Sequence, residues 1–173
     1  MKRISYLLLC LTLIGMAGCG YTLVGQGSLP KHIKTVAIPV FENTTLEKGV
    51  EDVLTKAVID VYISGGKVRL VSEGEADALL RGKIRSYNAR EAVTYNDSNE
   101  VSSYRLTVTL DLELQDLTRN EVFWKTENLS GNVTFDGGPD VDVTTQQGNE
   151  EKALKTVAKD LAERIWALST EGF

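Results

Sequence analysis

Three groups of side chains in this sequence could do chemistry. A cysteine stands at position 19, where an apolar run gives way to Gly20-Tyr21-Thr22-Leu23. The one histidine, His32, follows Pro30. Asp136, Asp140 and Asp142 surround Gly137-Gly138. A histidine relays protons only beside a nucleophile or a metal partner, and the chain near His32 offers neither. His32 is therefore expected to be a plain surface residue. The three aspartates could offer oxygen ligands to Ca²⁺. Their spacing fits no EF-hand loop, however, and Asp, Gly and Pro together ordinarily make turns. A turn is expected there, with a cation site as the alternative. The chain holds no Gly-x-Ser-x-Gly elbow, and Gly65-Gly66-Lys67 lacks both the earlier glycine and the following hydroxyl of a phosphate loop. No catalytic set, cofactor or metal is expected, and the chain reads as a non-enzyme.

Cys19 asks for a different chemistry. Lys2-Arg3 precede twelve apolar or small residues, Ile4 to Gly15. A membrane-spanning helix needs roughly 20 such residues, whereas a secretory leader needs roughly 7–15 behind a basic start. Met16-Ala17-Gly18-Cys19 resembles the bacterial lipobox, with Met16 where Leu is usual. Cleavage would leave Cys19 as an acylated first residue. The only other cysteine, Cys10, lies in the segment that would be removed, so no internal disulfide could form. An ordinary secretory leader with Cys19 left as a thiol is the alternative. Burial of acyl chains contributes about 0.8 kcal/mol per CH₂, so several chains anchor stably.

Removing Lys2 and Arg3 leaves seventeen basic residues against twenty-four acidic ones, a formal charge near −7. Such a balance excludes nucleic-acid binding by bulk electrostatics. We expect residues 1–18 to be a signal peptide, 19–34 a tether and 35–173 one domain.

The elements that would position these residues read as follows. Thr35 to Phe41 predicts a strand, at an edge or ending near Pro39. Thr44 and Glu47 form a capping-box pattern that predicts a helix start, with Leu46, Val50, Val53, Leu54, Val58 and Val61 as its apolar stripe. Gly65-Gly66 closes that helix, and Lys67 to Val71 returns as a parallel strand. Leu80, Gly82 and Ile84 share one parity while Tyr87, Ala89, Val93 and Tyr95 take the other, which predicts a bulge near Ser86. Tyr104 to Gln115 alternates without a fault, the pattern of a half-buried antiparallel strand. Its polar face is expected to be solvated or to lend an edge to a partner. Val122 to Thr126 returns the chain, and Asn128 to Phe135 either extends that strand or forms another. Glu150 to Leu168 predicts a closing amphipathic helix. The order implies an α+β two-layer sandwich: a mixed, mostly antiparallel sheet with two helices on one face.

With these elements placed, the chain resembles the LptE family of lipopolysaccharide-assembly lipoproteins. The resemblance rests on Cys19-Gly20-Tyr21-Thr22-Leu23, Leu29-Pro30, Ile33 to Val40, Ala76 to Ile84, the Tyr104–Leu114 strand and the last helix. It implies an outer-membrane lipoprotein that plugs and helps assemble an LptD-type β-barrel, through which lipopolysaccharide reaches the outer leaflet. By resemblance to enterobacterial sorting rules, Gly20 rather than Asp after the cysteine favours the outer membrane. In some members basic residues in the long hairpin's turn and before the last helix contact lipopolysaccharide. Here those stretches, Val93 to Asp97 and Thr144 to Gly148, hold no cation. Arg85, Arg90 and Lys125 are the nearest replacements and become the candidate contacts to lipopolysaccharide or partner. A periplasm-facing lipoprotein that binds a small ligand or glycan is the alternative function. A hydrolase would require a cleft that sets His32 beside a serine.

Overall fold

The computed structural model describes residues 29–170. The chain runs β1 (Thr35–Ala37), β2 (Glu42–Asn43), α1 (Val50–Gly65), β3 (Arg69–Leu70), a short 3-10 turn (Glu73–Glu75), β4 (Ala78–Tyr95), β5 (Val101–Asp116), β6 (Glu121–Asp136) and α2 (Val143–Thr170). The sheet order is β3-β1-β4-β5-β6. β1 pairs in parallel with both β3 and β4, as the crossover through α1 requires, while β4, β5 and β6 form an antiparallel meander. The architecture is the expected α+β: a mixed six-stranded sheet and two helices.

β5 is the spine. Leu106, Val108, Leu110, Leu112 and Leu114 are all fully buried, and the polar residues between them are half-buried on the opposite face. Against this apolar row α1 packs Leu54, Val58 and Tyr62, and α2 packs Val157, Ala158, Leu161, Ala162 and Ile165. Pairing with β4 slips between Ile84 and Ser86, where the parity of the sequence changes, and slips again further along. The chain from Glu121 to Asp136 is one strand, bent where Asn128 adopts φ 57.

The predicted first strand is split. Pro39 has no N–H to give a ladder, so the chain leaves β4 after Ala37 and rejoins it at Glu42. Between the two pieces the Phe41 ring seats directly on Gly82, where a methyl group would meet the ring at 2.6 Å.

Two helix starts differ from expectation. The Thr44–Glu47 capping box does not form. Thr44 Oγ1 donates to the Ile84 carbonyl at 2.6 Å, and Asn43 Oδ1 accepts from the Thr45 amide at 2.9 Å. The first turn of this segment is thereby spent on the sheet, and the helix waits until Val50, behind a left-handed Gly49. Leu46 consequently lies fully exposed instead of joining the stripe. α2 begins seven residues earlier than its apolar periodicity, because Asp142 Oδ1 accepts the Thr145 amide at 3.0 Å and caps it. Gly66, at φ 64, ends α1 as predicted.

At the foot of the helices a buried hydrogen bond at 2.5 Å joins the Tyr62 and Ser169 hydroxyls, and burial pushes the Tyr62 hydroxyl up to about 12. Leu29 and Ile33, at the end of the expected tether, pack against the core.

The two faces of β5 set unequal costs. Leu110→Ala should lower unfolding free energy by about 3 kcal/mol, the usual cost of a fully buried leucine, whereas Thr107→Ala on the other face should change it by less than about 0.5 kcal/mol. Urea unfolding followed by circular dichroism checks both.

Candidate functional site

The sheet face opposite the helices carries an ordered pattern of charge. Arg81 in β4 pairs across with Glu113 in β5, which pairs with Lys125 in β6. One row further along, Glu42 in β2 pairs with Lys83, which pairs with Asp111. Charge thus alternates in sign from strand to strand, the arrangement in which opposed side chains attract rather than repel. Together with Arg85 and Glu127 these residues line an open trough of about 360 Å³, four positive and four negative, with Pro39 and Val40 as an apolar wall.

Asp111 organises the trough. β4 carries Arg85 as the extra residue of its bulge, and β6 carries an irregularity at Glu127 and Asn128 opposite the same point of β5. Asp111 reaches both: Arg85 Nε donates to Oδ2 at 2.6 Å, and the Asn128 amide donates to Oδ1 at 2.9 Å. The Asn128 amide first and the Arg85 guanidinium second hold the Asp111 carboxyl below its ordinary range. The bulges are the places where the ladder leaves backbone groups unpaired, and a carboxylate supplies the missing acceptor.

The remaining cations of the trough are more loosely held. Lys83 Nζ lies 2.6 Å from Glu42 Oε1, and Lys125 Nζ lies 2.7 Å from Glu127 Oε1. The Glu127 carboxylate raises the Lys125 ammonium above its ordinary range. Arg81 donates to the Gln115 amide oxygen at 3.0 Å. Exposed pairs of this kind contribute only about 0–1 kcal/mol each, so the fold does not depend on them.

Of the three candidate cations, the structure brings Arg85 and Lys125 to this trough. Arg90 lies elsewhere, in a hollow between the amino ends of the two helices with Lys48, Tyr87 and Glu150. There Tyr87 donates to Glu150 at 2.7 Å, and Arg90 stands 3.9 Å from the same carboxylate. Burial, then the Glu150 carboxylate, pushes the Tyr87 hydroxyl up. Cys19 lies outside the described residues.

His32 is not the plain surface residue expected. Its Nε2 meets Asp116 Oδ2 at 2.6 Å, and the Asp116 side chain is only 2% exposed. The other carboxylate oxygen accepts from the Thr118 hydroxyl and from the amides of Thr118 and Arg119. Burial alone would raise this carboxyl, but the four donors outweigh it and hold the group at about 2. A signal for Asp116 existed: it has the parity of the buried leucines of β5, so a carboxylate there had to find partners inside. Nothing in the local sequence pointed to His32, 84 residues away. No serine shares the His32–Asp116 hydrogen bonds, as the hydrolase reading would require.

Two carboxylates of the Asp136–Asp142 loop, those of Asp140 and Asp142, are spent on structure. Asp142 caps α2, and Asp140 accepts from Asn96 Nδ2 at 2.7 Å, tying the hairpin tip to the loop. Gly137 and Gly138 let the loop pass against Tyr104 and the Val101 carbonyl. Among the described residues no cluster of three metal-ligating side chains occurs.

Asp111→Ala should lower stability by about 1–3 kcal/mol, since it strips an acceptor from the Asn128 amide, and Asp111→Asn should recover part of the loss; chemical unfolding of both variants checks it. Asp116 has a depressed folded pKa, so its contribution is present above the unfolded value near 4 and is lost as pH falls through about 2. A melting-temperature profile from pH 5 to 1.5 should show this loss in the native chain and a flatter profile in Asp116→Asn.

No curated protein sequence matches the chain. Among solved structures, the rare lipoprotein B from Shewanella oneidensis superposes with a TM-score of 0.51 at 13% identity, over 77% of this chain and 91% of that one. PelC from Paraburkholderia phytofirmans, solved as a dodecamer, superposes with a TM-score of 0.50 at 19% identity, over 84% and 93% of the two chains. At these identities the likeness is one of fold. The family model described as Lipopolysaccharide-assembly, LptE, matches residues 33–167. With most of its length and every element from β1 to the body of α2 inside that match, the chain belongs to the LptE family of lipopolysaccharide-assembly proteins.

Proposed function

We propose that the chain is an outer-membrane lipoprotein, anchored by acyl groups on Cys19, that plugs and helps assemble an LptD-type β-barrel translocating lipopolysaccharide. The domains of this reading are a signal peptide over 1–18, a lipidated tether from Cys19 and the α+β domain. Family membership supports a place in lipopolysaccharide assembly. The observation that carries the finer reading is the balanced, alternating charge of the helix-free sheet face. Such a face suits a water-filled lumen lined by polar side chains, since covering it with acyl chains would strip eight charges of water at several kcal/mol per ion. Arg85 and Lys125 are the residues of this face proposed to contact the barrel wall or lipopolysaccharide phosphates; Arg90 would act separately, from the hollow between the helices.

No helix among the described residues is long and apolar enough to cross a membrane. The alternative, capture of a small ligand or glycan, asks for an enclosed pocket with converging polar groups. The hollow that holds Arg85 and Lys125 is instead an open trough.

The test is recovery of the partner. The tagged native chain, purified from detergent-solubilised outer membranes, should bring down a β-barrel protein, and its depletion should raise permeability to large hydrophobic antibiotics. Arg85→Glu with Lys125→Glu should cut barrel recovery about tenfold, about 1.4 kcal/mol of binding, while leaving the melting temperature within a few degrees. Recovery of no barrel by the native chain would end the reading.

A further inference from the structure

Six residues at the start of the described chain are held more firmly than a tether needs. Pro30 to Ile33 closes a turn through the Ile33 amide and the Pro30 carbonyl at 2.9 Å, and the Ile33 side chain is buried. His32 grips Asp116 at the end of β5, at 2.6 Å. The amides of Lys34 and Thr35 both donate to Asp77 Oδ2, at 2.8 and 2.9 Å. Asp77 returns the contact through its own amide to Thr35 Oγ1, and its carbonyl accepts the Leu117 amide at 2.8 Å. The Lys34 carbonyl accepts from Arg69 at the edge of β3. Residues 30–35 are thus fastened to the beginnings of β3 and β4 and the end of β5.

These fastenings stand just ahead of a weak point. β1 is three residues long and lies between β3 and β4, with parallel pairing on both sides. Few ladder bonds hold it, and it is the strand on which the crossover through α1 depends. Any force arriving along the amino-terminal chain would peel β1 first if nothing intervened.

We propose that His32–Asp116 and Asp77 form a mechanical clasp that takes up force from the lipid tether before it reaches β1. The proposal rests on the anchoring reading only for the origin of the force. The physical case is that hydrogen bonds to ionised carboxylates are about twice as strong as neutral ones. The turn after β5 takes only Oδ1 of Asp116, through the Thr118 and Arg119 donors, which leaves Oδ2, buried, for His32. With the clasp shut, pulling stops at Pro30. With it open, the five residues from 30 to 34, which precede β1, can extend to about 3.3–3.6 Å each, a contour of roughly 17 Å.

An optical trap tests this with the chain beginning at Cys19, gripped through the Cys19 thiol and the carboxyl terminus. A control geometry uses Cys19→Ser with Ser98→Cys, gripped at the exposed hairpin turn and the carboxyl terminus. His32→Ala is the first variant, because it leaves the turn bonds of Asp116 in place and is expected to fold; Asp77→Ala is the second. In the Cys19 geometry the variants should show an early lengthening below the roughly 17 Å contour of residues 30–34, shorter in His32→Ala, where Asp77 still holds the Lys34 and Thr35 amides, and release about tenfold faster at fixed force, an effect on the scale of one charge-assisted hydrogen bond. In the hairpin geometry they should unfold like the native chain. Absence of the early step in both variants, or an equal weakening in both geometries, would overturn the clasp. A bare thiol at Cys19 in the native protein, read by mass spectrometry, would overturn the anchor and leave the trap result standing.

Discussion

The structure depends on β5 keeping its phase. The strand is paired on both sides, so a slip of one residue would turn Asp111 and Glu113 into the core and expel five buried apolar side chains. Each expelled leucine or valine forfeits about 1.5–3 kcal/mol, and each buried lone carboxylate costs several more. No alternative register competes. The neighbours cannot match β5 residue for residue over 16 to 18 positions, and they absorb the mismatch as bulges. Arg85 and Asn128 are the two that face each other across Asp111. The polar face of the sheet, its trough and the positions of its cations all follow from where those bulges fall.

Much of this was legible in the chain. The faultless alternation of β5, the change of parity at Ser86, the stop at Gly65-Gly66 and the stripe of α2 each state a local rule that the fold obeys. What misled was local chemistry with two uses. Thr44 and Asn43 carry groups that cap helices, but here the sheet edge and an Asx turn claim them first. The early turns of α2 were hidden for the opposite reason: they run beyond the apolar stripe, so no periodicity marks them, and only the cap at Asp142 does.

The site divides in the same way. Arg85 shares parity with Arg81 and Lys83, so its place on the polar face could be anticipated. Lys125 joins it only because Glu113 lies opposite both β4 and β6, which is a fact about register and not about either segment. Arg90 parts from them because the β4–β5 pairing slips again between Asn88 and Glu91. The His32–Asp116 contact spans 84 residues, and one chain read alone holds no trace of which surface residue would cover a buried aspartate.

The trough is also unusual for the protein that carries it. The chain as a whole is acidic, yet the trough is balanced four against four. The excess acid is placed elsewhere, partly in carboxylates that cap and fasten: Asp77, Asp116, Asp142. A balanced pattern projects little field beyond a Debye length of about 8–10 Å. It therefore does little to steer a distant partner, but at contact it discriminates strongly, because a partner shifted by one strand spacing would set like charges opposed. On the proposed function, recognition on this face works by register, as it does within the sheet itself. The alternation of sign that the strand register lays across β2, β4, β5 and β6 is what the trough would offer to a fitting surface.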